Sequence, residues 1–89
     1  MRLRWSLDAA DDLKSIHDYL LATHSDLADK TVLFIQSELR MLCRFPRLGR
    51  PTARENVYEL IVRGLPYLCT YVLDVHAATV IRIHHTSRN

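Results

Sequence analysis

Glycine and proline are scarce in this 89-residue chain, which holds two of the first and three of the second. So little of either excludes a flexible linker or a disordered tail of any length. Cysteine is as sparse. Cys43 falls in a helical pattern and Cys69 in a strand pattern, with no Cys or His at ligand spacing. Neither a structural zinc site nor a disulfide framework is encoded, and both thiols read as reduced, small apolar residues. No apolar run approaches membrane-spanning length, and the opening MRLRWSL carries two arginines with no apolar stretch behind them. Neither a membrane span nor a secretory signal is expected. Repeats and low-complexity tracts are missing as well. The expectation is one cytoplasmic domain over residues 1–89, without cofactor or metal, and small enough to be only marginally stable.

Lysine is absent from the whole second half. Residues 1–45 contain six Lys/Arg and seven Asp/Glu, whereas residues 46–89 contain six Arg and three Asp/Glu. Arginine meets carboxylates and phosphates through a planar fork, so an Arg-only basic half points to an anionic partner. A solvated surface with chance asymmetry would give the same count.

What is present is periodic. RLRW at 2–5 reads as a short strand. Ala9, Leu13, Ile16 and Leu20 then step by four, three and four, one face of a helix capped by Ser6 or Asp8. Ala28, Val32, Ile35, Leu39 and Leu42 repeat the pattern after Ser25, the expected cap of a second helix, and Pro46 ends it. The connection at Thr23-His24 is short, so the helices form an antiparallel hairpin. PRLGRPTAREN at 46–56 is a loop, with Arg47, Arg50 and Arg54. Thereafter the period falls to two, and strands at 57–63, 67–74 and 79–85 are separated by tight turns. The class is α+β, in the order β-α-α-β-β-β, with the hairpin on one face of a small antiparallel sheet. The strands are apolar on both faces, and a half-apolar second face is a candidate for binding another chain.

The chain ends in VIRIHHTSRN. Alternation places Ile81 and Ile83 on the core face and Arg82 and His84 on the other, with His85 and Arg88 at the rim. Adjacent histidines on opposite faces make a poor metal site. His85 reads equally well as a partly buried histidine bonded to a neighbouring strand or to Arg88. Arg82 reads as a cross-strand partner of Glu59, and Arg50 as a loop clamp on helix C-terminal carbonyls. Tyr67 and Tyr71 read as packing residues and Trp5 as a core anchor.

Four segments in order, WSLDAADDLKSIHDYL, FPRLGRP, ELIVRGLPYLCTYVL and VIRIHHTSRN, resemble the RelE/ParE superfamily of toxins from type II toxin–antitoxin systems. The resemblance spans essentially the whole chain. It implies a cognate antitoxin, a small protein that wraps the toxin, and one of two activities that share one fold. RelE-like members cut messenger RNA on the ribosome. ParE-like members, the plasmid-stabilisation branch, poison DNA gyrase. For a nuclease the candidates are His85 as acid/base, Arg63 and Arg82 as phosphate ligands, and Glu59 or Glu55 as base. A dense Lys/Arg patch and a C-terminal stacking tyrosine, both usual in the RelE-like branch, are missing, since Thr86 follows His85. The long helix pair and LGRP favour the ParE-like branch. Arg50, Arg63, Tyr67, Arg82, His85 and Arg88 are then candidates for binding gyrase or antitoxin. A toxin that has kept only antitoxin binding is a third reading.

Overall fold

The computed structural model describes residues 1–87; Arg88, one of the candidate site residues, lies outside them. The element order is β1 (Arg2–Trp5), α1 (Leu7–Thr23), α2 (Ser25–Arg40), a 3-10 turn (Met41–Cys43), β2 (Arg50–Pro51), β3 (Val57–Ile61), β4 (Tyr67–Leu73) and β5 (Ala77–His85).

The first helix starts as its sequence dictates. Ser6 is extended, and its hydroxyl accepts the Ala9 amide at 3.0 Å while donating to the Ile81 carbonyl at 3.0 Å. One side chain thus caps α1 and ties it to β5. The second helix begins differently from expectation. His24 is the only residue between the helices, donating its amide to Leu20 O at 2.7 Å and accepting from Leu27 N at 2.9 Å. With a single residue to end one helix and begin the next, the non-helical cap position falls on His24, and Ser25 becomes the first helical residue instead of the cap. At its far end α2 tightens to the 3-10 turn before Pro46 is reached.

The sheet order is β1-β5-β4-β3-β2. The last three long strands form the expected antiparallel meander. β1 joins its far side in parallel, Leu3 beside Ala78 and Trp5 beside Val80, so the whole sheet is mixed. β2 is a two-residue edge strand inside the segment expected to be loop, pairing Arg50 with Glu59. It lies close because Gly49 lets it: a Cβ there would meet Glu59 O and the Tyr71 hydroxyl, each at 2.8 Å.

Ala9, Ile16 and Leu20 of α1, and Ala28, Ile35 and Leu39 of α2, pack with Leu42 on Val62, Tyr67, Cys69, Tyr71, Ala78, Val80 and Ile83 of the sheet. The placement of Ile81 on the core face is corrected here. Thr70 pairs with Arg82 but Tyr71 with Val80, so Ile81 is the extra residue of a β-bulge. Had Ala78 and Val80 set an unbroken alternation, Arg82 and His84 would have turned inward. The bulge resets the phase, and Val80 and Ile83 face the core instead. The opposite sheet face presents Val57, Glu59 and Ile61 beside Leu68, Thr70 and Val72, half-apolar as expected, with Ile61 55% exposed. Among the described residues, no helix is long and apolar enough to cross a membrane.

Candidate functional site

β5 outlasts β1 by five residues, so its outer edge beyond Val80 lacks a strand neighbour. An unpaired edge needs a cover. Helix α1 supplies it: the Asp12 carboxylate accepts the Ile83 amide at 2.8 Å, and Arg82 forks onto the same carboxylate, Nε to Oδ2 at 2.9 Å and Nη2 to Oδ1 at 3.1 Å. Burial alone would raise the Asp12 pKa. The Arg82 and Ile83 hydrogen bonds, with the charges of Arg82 and His84, outweigh it and hold the carboxyl below its ordinary value. The expected Arg82–Glu59 pair therefore does not form. Glu59 pairs with Arg50 at 3.0 Å, which also corrects the reading of Arg50 as a ligand of helix carbonyls. Two contacts decide this: Asp12 takes Arg82, and β2 brings Arg50 directly opposite Glu59.

His85 lies on the helix side of the sheet. Its ring meets the Tyr67 ring edge-on at 5.5 Å between centroids. Its Nδ1 accepts the Ser87 amide at 3.1 Å. A hollow of about 330 Å³ opens there, lined by Tyr19, His24, Leu27, Thr31, Tyr67 and His85 among others. Tyr67 itself is buried, a packing residue as the alternation implied. Arg63 approaches Glu38 of α2 at 3.5 Å and is largely exposed. Glu55 is exposed in the loop before β3.

The nuclease candidates do not converge. Glu59, Thr70 and Arg82 lie side by side across three strands on the outer face, which sets Glu59 and Arg82 about 10 Å apart. His85, paired with Tyr67, is on the opposite face. Arg82, Glu59 and Arg63 each already face a charge partner. No group of three or more His, Cys, Asp or Glu side chains among the described residues is placed to hold a metal ion.

A groove of about 510 Å³ lies where the helix hairpin meets β1. Trp5, Ala10, Leu13 and Val32 form its apolar lining, and Lys14, His17 and Gln36 complete it. His17 Nε2 lies 2.7 Å from Asp29 Oδ1, bridging the two helices. The periodicity assigned Leu13 and Val32 to the core stripe. They are half-buried, on the shoulder of that stripe, and the spacing alone did not separate a core residue from a groove wall.

Residues 3–89 match the family described as ParE toxin of type II toxin-antitoxin system, parDE. This chain belongs to the ParE toxin family. A Sinorhizobium fredii protein named "Putative toxin Y4kP" is 32% identical to this ParE-family toxin over 85 residues, 93% of this chain and 88% of that protein. Among solved structures, the fold is that of the chromosomal ParDE system from P. aeruginosa, with TM-score 0.86, 24% identity, and coverage of 98% of this chain and 97% of that one. The isolated E. coli RelE toxin shares it at TM-score 0.69 and 14% identity, covering 99% of this chain and 86% of that one. The toxin's two helices on a five-stranded mixed sheet are thus the architecture common to ParE and RelE, as the α+β reading anticipated.

Proposed function

We propose that this ParE-family toxin inhibits DNA gyrase in the cytoplasm and is silenced by a cognate antitoxin that fills the groove at Trp5. The observation that carries the target reading is the dispersal of the ribonuclease set. In-line attack by a 2′-hydroxyl needs base, acid and phosphate ligand around one phosphorus. Here His85 is on one sheet face and Glu59 and Arg82 are on the other. The outer face offers Ile61, Leu68 and Val72 at its centre, and its Arg50 and Arg82 are already paired with Glu59 and Asp12, which leaves little for base stacking or phosphate binding.

The groove supports the antitoxin reading. It is open, mostly apolar, and edged by Lys14 and His17, which suits an acidic amphipathic helix that folds on binding. β1 beside it is an edge strand, with no strand on its outer side among the described residues, which suits the addition of an extended segment.

The deciding experiment is a supercoiling assay with purified gyrase, ATP, relaxed plasmid and the toxin, scored for lost supercoiling and trapped linear DNA. Linear DNA that accumulates with toxin, and with His85→Ala toxin equally, and disappears when the adjacent-gene antitoxin is added is the expected result. Untouched gyrase at micromolar toxin, with message cleavage on translating ribosomes that His85→Ala abolishes, would overturn the reading in favour of the nuclease. Silence in both assays would leave antitoxin binding as the function.

A further inference from the structure

The end of the molecule away from His85 carries a surface that none of the above uses. After the 3-10 turn the chain presents Phe45, 52% exposed, and Leu48, 45% exposed, around an open hollow of about 450 Å³. A second hollow of about 340 Å³ shares Pro46 and Arg47 with it and runs to Val75, 87% exposed, at the tip of the β4–β5 turn. Large apolar side chains left open together mark an interaction site more often than a solvated surface.

The charge on this surface is mostly positive. No acidic residue lies between Glu38 and Glu55, while Arg40, Arg44, Arg47, Arg50 and Arg54 do. Arg50 is spent on Glu59. Arg44 and Arg47 are exposed and, among the described residues, have no carboxylate within ion-pair distance; Arg44 instead lies 5.8 Å from the Phe45 ring centroid. Among the described residues, the one carboxylate bordering the second hollow, Asp74, accepts the His76 and Ala77 amides at 2.7 and 2.9 Å and so is engaged in its own turn. Arginine stacked beside an aromatic ring, next to further apolar side chains, is the composition of protein-interface anchors. A nucleic-acid backbone would use the guanidinium groups and leave Leu48 and Val75 without a role.

We infer that this end is the toxin's target-docking surface: Phe45 and Leu48 enter an apolar hollow on a gyrase subunit, and Arg44 and Arg47 pair with carboxylates at its rim. The inference rests on the gyrase reading above. It shares no residue with the groove at Trp5, so the antitoxin site and the target site are separate.

The test uses the full chain and purified gyrase subunits, each immobilised in turn, with the supercoiling assay alongside. Phe45→Ala/Leu48→Ala and Arg44→Glu/Arg47→Glu alter only exposed side chains, and circular dichroism with urea midpoints checks that they fold. Arg44→Gln/Arg47→Gln serves if the charge reversal does not. Each double variant is expected to weaken gyrase binding and inhibition by about tenfold or more. Lys30→Glu, an exposed change of the same sign on α2, should leave both near the parental level. Parental toxin that inhibits gyrase while every loop variant does so equally well overturns this inference and leaves the gyrase reading intact. Equal loss in Lys30→Glu reduces the effect to net charge and also overturns it. Parental toxin that neither binds nor inhibits overturns both.

Discussion

The Tyr71 hydroxyl accepts the Gly49 amide at 2.9 Å and donates to the Pro46 carbonyl at 2.8 Å. A fully buried tyrosine of the central meander thereby fixes the loop that carries the exposed arginines and Phe45. Burial raises the Tyr71 pKa, and the Gly49 hydrogen bond only partly opposes that, so the hydroxyl stays protonated and keeps its donor role at ordinary pH.

Tyr71→Phe removes one partner from two backbone groups at once. A loss of about 1–3 kcal/mol is expected, read as a lower urea midpoint at unchanged slope. Gly49→Ala should cost at least as much, because its methyl group meets backbone at Glu59 as well as the Tyr71 ring. An unchanged midpoint in either variant would show that the loop is not held from the core.

Asp12 should give acid sensitivity of known sign. Its folded pKa is depressed below 3.8. The carboxylate's contribution to stability is therefore fully present above that value and is lost as pH falls through the lower, folded pKa. Asp12→Asn should flatten the stability curve in this acid range and leave its shape near neutrality unchanged. Asp12→Ala, which deprives the Ile83 amide of its acceptor, should lose about 1 kcal/mol at pH 7 as well. Urea midpoints measured from about pH 7 down to about pH 2, which crosses that acid range, would check both.

Ala10 is exposed on α1 and faces into the groove. Ala10→Arg should fill the groove without touching the core. The urea midpoint should then shift by less than about 0.5 kcal/mol in stability. Calorimetry against the adjacent-gene antitoxin should show a loss of about 2 kcal/mol or more in binding. Unimpaired binding would place the antitoxin helix elsewhere.

The two thiols should differ in reactivity. Burial pushes the Cys69 thiol up to about 12, whereas Cys43 is half-buried at the end of the 3-10 turn. The thiolate is the reacting species, so Cys69 should resist a disulfide reagent until the protein unfolds and Cys43 should react first. Two thiols reacting at one rate in native buffer would contradict the core placement of Cys69.

Much of the fold was legible because periodicity reports burial directly. The two helices and the three-strand meander came from steps of 3.6 and two residues, and the family resemblance rested on the same segments. The bulge at Ile81 was not legible, since VIRIH alternates acceptably in either phase and only the pairing with β4 decides between them. β2 escaped notice because two residues make no pattern, and its presence follows from what Gly49 permits across 22 residues of chain. Ion pairs fared worst. Arg82 could reach Glu59 on cross-strand logic, but Asp12, 70 positions earlier, is delivered to it by a helix whose placement no local spacing specifies. The groove was hidden for a related reason, its walls belonging to three separate elements.

The bulge divides β5 into two independently phased halves. The first takes its bearings from β1, the second from Asp12 on α1. Position 81 sits at the joint, and a strand that lost it would still turn Val80 and Ile83 inward and Arg82 outward. Removing the extra residue would close the bulge without moving either half along β4, so the rim that carries His84 and His85 is joined to the interior set by Val80 through a residue whose place in the chain the packing does not require.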